Sequence, residues 1–339
     1  MNQNYAPIII PTLNRCEHLK KCIESLAANE LANETEIYIG VDYPPESKYE
    51  EGYKSIIEYV SGDIDGFKAV HVYTHNQNLG PRENFVFLLN EVLKKFDRYI
   101  YTEDDNLFSK NFLVYMNSCL DYFEGDPSVI AISGYFWPIE VNTKGNILFN
   151  STIYSAWGCA AWIKKENDFI KDISMSSLEK IWKNRLCIKK LRKSNPFIYS
   201  EFVKGYLERT GYLINDDKVR IIDLTYSIFA HAKGKKIVYP TISKVRNIGN
   251  DGSGEHCVAI KVDNNIKPTN RNYDYSSQHI DTQKSFQMSV DVIEEENIEN
   301  VLSEFLKVDL FELLKCDIAY RMSLIIGRKA MVRLLKLFS

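Results

Sequence analysis

The chain lacks a long apolar run: no stretch approaches the roughly 20 residues that a bilayer-spanning helix requires. It also lacks an excess of either charge. Lys+Arg is 42 against Asp+Glu 45, a net charge of −3. Without a global basic field, a protein that wraps duplex nucleic acid is not expected. Cysteines are few, odd in number and scattered, at Cys16, Cys22, Cys119, Cys159, Cys187, Cys257 and Cys316. No CxxC pair occurs, which argues against a zinc ribbon or a thioredoxin-type redox site; buried free thiols in a reducing cytoplasm are the plainer reading. No GxxxxGK[ST] is present and no GxGxxG follows the first strand, so phosphate binding through a glycine-rich loop is not expected. Met1 to Ala6 is polar and leads directly into a strand, which predicts no signal peptide. Repeats and low-complexity tracts are absent as well.

What is present is an ordinary globular composition. The 339 residues are 45% hydrophobic, 26% charged and 12% aromatic, too apolar for extensive disorder. The first hundred residues alternate strand and helix signals. Ala6–Ile10 is a short β-branched run bounded by prolines, and Leu19, Cys22, Ile23 and Leu26 then recur at helical spacing. Ile37–Val41 reads as a second strand ending at Asp42, Tyr49–Ser61 as a helix and Ala69–Thr74 as a third strand. Pro81–Phe96 reads as a helix with proline in its first turn, and Arg98–Thr102 as a fourth strand. Further on, helices are expected over Asn111–Glu124, Ser176–Lys193, Asp223–His231 and from Glu294 onward, and strands over Val129–Ser133 and Lys236–Tyr239. Asn247–Gly254 reads as a loop and Lys267–Gln287 as an irregular linker.

Such alternation predicts an α/β fold with a mainly parallel sheet flanked by helices. Right-handed crossovers place the carboxyl ends of the parallel strands on one rim, where open α/β sheets bind ligands. Thr12, Arg15, Asp42, His75 to Asn78 and Glu103 to Asp105 are expected to converge there. Glu103, Asp104 and Asp105 carry the chemistry. Three adjacent carboxylates repel one another unless a cation or hydrogen bonds compensate them. An isolated Glu-Asp-Asp reads as a polar loop capping the next helix; at the end of a buried strand it reads as a site for a hard divalent ion and substrate phosphates.

These residues carry a resemblance. PIIIPTLNRCEHLKKCIESL, the aspartate after IYIGV, NLGPRENF, YTEDDNLFSKNF, YSAWGCAAW and RNIGNDGSGEH occur in that order over about residues 6–256. Together they resemble GT-A-fold glycosyltransferases, close to the bacterial family 2-like enzymes that use nucleotide sugars. The resemblance implies a GT-A (Rossmann-like) catalytic domain over 1–266, with a nucleotide-sugar half to about 135 and an acceptor half from 136. Residues 267–339 would form a linker and a helical C-terminal extension.

It also implies roles. Glu103 and Asp104 would contact the sugar nucleotide, and Asp105 would ligate Mn²⁺ or Mg²⁺ together with His256. Asp42 would pair with the base edge, Pro11, Thr12 and Arg15 would line the same pocket, and Asn78 and Arg82 would approach the ribose or phosphates. Trp157 and Gly158 would border the sugar pocket, with Trp162 matching the family's last tryptophan. Cys159 stands where relatives carry a further tryptophan, which removes one expected stacking platform. Asp223 would be the general base of an inverting transfer, with Asp216, Asp217 and Glu201 as alternatives. The implied reaction moves a sugar from a nucleotide-sugar donor, a UDP-sugar first among them, to a hydroxyl of a glycan or lipid-linked glycan, in bacterial surface polysaccharide synthesis. Sugar-nucleotide nucleotidyl transfer is the alternative chemistry, though PTLNRCEHL is not the glycine-rich basic loop it needs. A non-catalytic carbohydrate-binding protein using Trp137, Trp157 and Trp162 is the other.

Arg321–Ser339 carries five basic residues and no acidic one. With Leu324, Ile325, Met331, Leu335 and Phe338 on one side, it reads either as a helix on an anionic membrane surface or as one packed on the catalytic domain or on a second copy of the chain. The first reading makes the protein peripheral on the inner face of the cytoplasmic membrane.

Overall fold

The computed structural model describes residues 5–150, 153–207, 211–253, 269–270, 273–290 and 302–335. The first half runs β1 (Ile8–Thr12), α1 (Cys16–Ala27), β2 (Glu36–Val41), α2 (Glu50–Val60), β3 (Ala69–Thr74), α3 (Pro81–Val92) and β4 (Arg98–Tyr101). It continues with β5 (Asn106–Phe108), α4 (Phe112–Phe123), β6 (Val129–Ser133), β7 (Ile147–Asn150), β8 (Cys159–Trp162) and α5 (Ile163–Ile170). Next come α6 (Met175–Lys183), α7 (Arg185–Ser194), α8 (Pro196–Leu207), the short ribbon β9 (Ile214–Asn215) and β10 (Lys218–Val219), and α9 (Asp223–Lys233). β11 (Lys236–Pro240), β12 (Val245–Asn247) and helices over Leu310–Ile326 and Arg328–Leu335 complete the described chain.

The main sheet has eight strands in the order β3-β2-β1-β4-β8-β6-β11-β7. β1 to β4 are mutually parallel, β6 and β11 are parallel, and β8 and β7 run the other way. This is the expected α/β architecture with a mainly parallel sheet, flanking helices and a helical C-terminal extension. The strands read as continuous apolar runs because both faces are covered. Ile8 and Ile10 point into the cluster that includes Leu19, Ile23 and Ile56, whereas Ile9 points to the opposite face with Tyr38, Leu88 and Val92. Helices α1, α2 and α4 thus cover one face and α3 the other.

Three expectations need correction. The basic stretch Ser176–Lys193 is not one helix: Asn184 ends α6 and caps α7 by accepting the backbone N–H of Cys187 at 3.1 Å. A polar side chain that bonds nearby backbone breaks the pattern that charge alone suggested. The loop beginning at Asn247 is preceded by β12, which pairs with β5 (Asn106 opposite Asn247). Lastly, the C-terminal segment is not a single amphipathic helix. It breaks at Gly327, at φ +82°, and Met331 and Val332 after the break are buried. Phe338 lies outside the described residues.

Tyr273–Gln287, expected as an irregular linker, is irregular apart from one short turn, and it packs onto the body. Gln278 donates to the Phe136 carbonyl at 2.6 Å, and Asp281, buried, pairs with the buried ammonium of Lys244 and accepts from Asn111 at 3.0 Å.

Candidate active site

The rim forms because the first four strands are parallel and in register. Asp42 N–H donates to the Thr12 carbonyl at 2.9 Å, His75 N–H to Val41 at 3.1 Å and Thr102 N–H to Ile9 at 3.1 Å, so the strand ends lie side by side. Asp104 and Asp105 are buried there, and Arg15, at the start of α1, reaches both. One guanidinium nitrogen sits 2.6 Å from Asp104 Oδ1 and the other 2.8 Å from Asp105 Oδ2. Thr12 Oγ1 donates to Asp104 Oδ2 at 2.6 Å, and Asn247 Nδ2 donates to Asp105 Oδ1 at 2.8 Å. Held between two carboxylates, Arg15 is more firmly protonated than usual despite its burial.

The Asn247 contact is the consequence of the β12–β5 ribbon, which lays the late loop directly on the acidic triplet. Ile248 N–H donates to the Asp105 carbonyl at 2.8 Å. Gly249 passes so close that a Cβ there would lie 2.0 Å from Asp105 Oδ2 and 3.0 Å from Arg15. Gly249→Ala is therefore expected to lower stability by about 1–3 kcal/mol through overpacking, read as a shifted midpoint in denaturant unfolding. An unchanged midpoint would mean that the loop does not rest on the carboxylate.

Asp42 is buried, and its carboxylate is engaged by the neighbouring loop. It accepts from Tyr43 N (2.9 Å), Leu79 N (2.8 Å), Gly80 N (2.8 Å) and Asn78 Nδ2 (3.2 Å). Asp42 thus holds the 78–80 segment against the end of β2. Pro11 lies within β1 opposite Gly40, beside Thr12. Arg82 is exposed and donates to the Ile221 carbonyl at 3.4 Å, which places it between the rim and the start of α9.

α9 begins with Asp223. Its Oδ2 accepts the Ala156 N–H at 3.1 Å, and burial drives its pKa up to about 6. The carboxylate lines a cavity of about 320 Å³ together with Tyr135, Trp137, Trp157, Glu201 and Tyr275. Trp157 is held edge-on by Tyr135 at 4.9 Å and Tyr275 at 5.3 Å between centroids. Glu103 joins the two halves. Burial raises its carboxyl well above the usual range, and the charges of Asp105, Asp223 and Asp104 raise it further. No hydrogen bond to its carboxylate occurs among the described residues.

Several sequence-level candidates sit elsewhere. Asp216 and Asp217 form the exposed left-handed turn of the β9–β10 ribbon, at φ +46° and +57°, and do not line the cavity. Gly158 lies beneath the site rather than in it: φ is +61°, and a Cβ would meet Val245 at 2.7 Å. Trp162 is buried within β8 with Lys165 over its ring at 3.8 Å, so it belongs to the core. Cys159 is buried too, 3.0 Å from the Tyr154 hydroxyl. The cavity's aromatic wall draws on Tyr135, Trp137, Trp157 and Tyr275. His256 lies outside the described residues. Sequence reading missed Tyr135, which stands in the aromatic run Tyr135-Phe136-Trp137, and Tyr275, an aromatic between Asp274 and Ser276. It also missed Glu166, a buried carboxylate that accepts from Tyr99 and Tyr226, each at 2.5 Å.

The donor set at the rim suits a hard cation. It consists of carboxylate oxygens, and one guanidinium offsets only one of the two charges of Asp104 and Asp105. Among the described residues no group of three His, Cys, Asp or Glu side chains forms a metal cage. A dication here would take its remaining ligands from outside the described residues, from water or from a substrate's phosphates, as Mg²⁺ commonly does.

No protein-family model matches the chain, and no curated protein matches it significantly. Solved structures similar to parts of it include S. aureus TarS 1–349, 16% identical over 49% of this chain and 49% of that one, with a TM-score of 0.32. The same segment in complex with UDP is 14% identical over 49% of each chain, with a TM-score of 0.34. The chain thus spans about half the length of that segment, 49% in each case. The mannosyltransferase PcManGT from Pyrobaculum calidifontis, in complex with GDP-Man and Mn²⁺, is 14% identical over 68% of this chain and 69% of that one, with a TM-score of 0.36.

Proposed function

We propose that this chain is a glycosyltransferase that moves a sugar from a nucleotide-sugar donor to an acceptor hydroxyl, with inversion at the anomeric carbon. One observation carries the reading. The acidic triplet after β4 and the cavity holding Asp223 are neighbours: the charge of Asp223 raises the carboxyl of Glu103, and Arg82, at the start of α3, donates to the Ile221 carbonyl just before α9. A donor's diphosphate would lie along the rim by Arg15 and Arg82, its ribose near Thr12 and Asp104, and an acceptor sugar against Trp157 and Tyr275. Aromatic faces suit the apolar face of a sugar ring, and the polar groups around them orient its hydroxyls.

In the transfer, Asp223 takes the proton from the acceptor hydroxyl as that oxygen bonds to the anomeric carbon. The bond from that carbon to the diphosphate oxygen breaks, and the nucleoside diphosphate leaves with the electron pair. Bound to Asp105, Mn²⁺ or Mg²⁺ would supply positive charge opposite that leaving group. His256 is carried as a second ligand on the motif alone. The motif resemblance also makes a UDP-sugar the first donor to test and a glycan or lipid-linked glycan of a bacterial surface polysaccharide the acceptor class, which puts the enzyme in the cytoplasm.

The test is calorimetric binding of UDP, GDP, CMP and dTDP to the wild type and to Asp105→Asn, each with and without Mn²⁺. One nucleotide is expected to bind in a Mn²⁺-dependent manner, with affinity lowered at least tenfold in the variant. Failure of every nucleotide to bind would overturn the transferase reading and favour a glycan-binding protein.

A further inference from the structure

The helix Leu310–Ile326 has two unlike sides. Its inner side is specified by contacts: Cys316, Tyr320 and Ser323 are buried, Tyr320 donates to the Trp182 carbonyl at 3.2 Å, and Trp182 Nε1 donates to Ser323 Oγ at 3.1 Å. Its acidic residues are also turned inward. Asp317 forms a two-pronged pair with Arg192 at 2.7 Å and accepts from Tyr199 at 2.9 Å, and Glu312 pairs with Lys204.

The outer side is apolar and cationic. Leu310 is 82% exposed, Phe311 65% and Ile325 84%, and Leu314, Ile318 and Ile326 are exposed beside them. The exposed charged residues between Leu310 and Leu335 are Lys315, Arg321, Lys329 and Arg333, all basic. Within an acidic protein of net charge −3, this face is a local reversal of sign. Six large apolar side chains aligned on one helix face are more than scattered surface exposure, and such a patch marks a contact surface. No helix among the described residues is long and apolar enough to cross a membrane, so the helix would lie on a surface rather than span it.

We infer that the outer face of Leu310–Ile326 binds an anionic lipid bilayer, its apolar side chains entering the headgroup boundary and Lys315, Arg321, Lys329 and Arg333 meeting acidic headgroups. The charge pattern selects this occupant. A second copy packed on the same face would set Lys315 and Arg321 against a helix whose own exposed charged residues, from Leu310 to Ile326, are Lys315 and Arg321 again. The membrane contact read from Arg321–Ser339 is thereby relocated, because Met331 and Val332 face the body and the exposed apolar stripe begins at Leu310. The inference stands on the helices Leu310–Ile326 and Arg328–Leu335 and uses no residue of the candidate active site, so its outcome is separable from that of the transferase reading.

The experiment is co-flotation of the full chain with vesicles of phosphatidylcholine alone or mixed with phosphatidylglycerol, and sedimentation velocity without lipid. The wild type should float with the anionic vesicles at least tenfold more than with the neutral ones, and raised salt should release it. Ile318→Ser with Ile325→Ser, and separately Lys315→Glu with Arg321→Glu, should each reduce flotation about tenfold while leaving the melting temperature unchanged, since all four side chains are exposed. No flotation by the wild type, or flotation unaltered by both pairs, overturns the inference. So does a dimer in sedimentation that the Ile318→Ser, Ile325→Ser pair turns into monomer.

Discussion

Asp223→Asn is expected to lower the rate of sugar transfer by about 10²–10⁴-fold, the usual contribution of a positioned general base, while nucleotide binding stays at the wild-type level. The substitution keeps the shape and the acceptor for the Ala156 N–H, bonded at 3.1 Å in the wild type. What it removes is the capacity to take a proton. With a pKa of about 6, Asp223 is ionised at neutral pH yet basic enough to accept a hydroxyl proton as the bond forms. The wild-type kcat/KM should rise about tenfold per pH unit below that value and level off above it, and the variant should lose this limb. Glu201 lines the same cavity but pairs with Lys204 at 3.2 Å, so Glu201→Gln should change the rate far less. A full loss in Glu201→Gln with a near-normal rate in Asp223→Asn would exchange the two roles.

The same shift carries a stability consequence of opposite sense. The folded pKa of Asp223, about 6, lies above the ordinary aspartate value, so the folded state holds the proton more tightly than the unfolded chain. That contribution is fully present below the unfolded pKa and is lost as pH rises through about 6. At pH 8 the ionised carboxylate therefore burdens the fold, and Asp223→Asn should melt no lower than the wild type. An inactive variant that is also unfolded would show a structural role instead.

Arg15→Met is expected to lower stability by about 3–5 kcal/mol, the usual effect of removing one partner from a buried charge cluster. Methionine keeps much of the aliphatic stem, so the loss is electrostatic. Asp104 and Asp105, with side chains 7% and 6% exposed, would stay buried without the guanidinium that lies 2.6 and 2.8 Å away. Among the described residues, Thr12 and Asn247 would remain as their only side-chain donors. Arg15→Lys should fall between, since an ammonium cannot bridge both carboxylates with a rigid fork. Adding Asp104→Asn to Arg15→Met should recover part of the loss, because one uncompensated charge is removed. Denaturant midpoints for the four proteins test this, and a loss under 1 kcal/mol in Arg15→Met would mean that the rim is solvated rather than buried.

The first hundred residues are legible because every element there satisfies a local rule. Ile8, Ile9 and Ile10 are apolar in succession because a central parallel strand is covered on both faces, and Leu19, Cys22, Ile23 and Leu26 repeat at the period that keeps one helix face on that sheet. Strand ends are legible for the same reason: apolar runs stop where the chain leaves the core, which singles out Thr12, Asp42 and Glu103–Asp105. Past Asn106 the local signals conflict. A single asparagine, Asn184, divides a basic stretch that periodicity would continue, and Asp216 and Asp217 look like any other carboxylates until a left-handed turn carries them to the surface.

By itself, then, the sequence determined the alternating α/β frame, the rim on which its parallel strands end and the acidic triplet placed there. Those features follow from burial periodicity within elements of about ten residues. The tertiary structure alone decided what surrounds the triplet. Pairing of β12 with β5 lays Asn247 and Gly249 on Asp105, the segment around Tyr275 closes the cavity beside Trp157, and Asp281 reaches Lys244. Each of these contacts joins residues far apart along the chain. Periodicity records which side of an element is buried, whereas the identity of the covering residue depends on how distant segments meet.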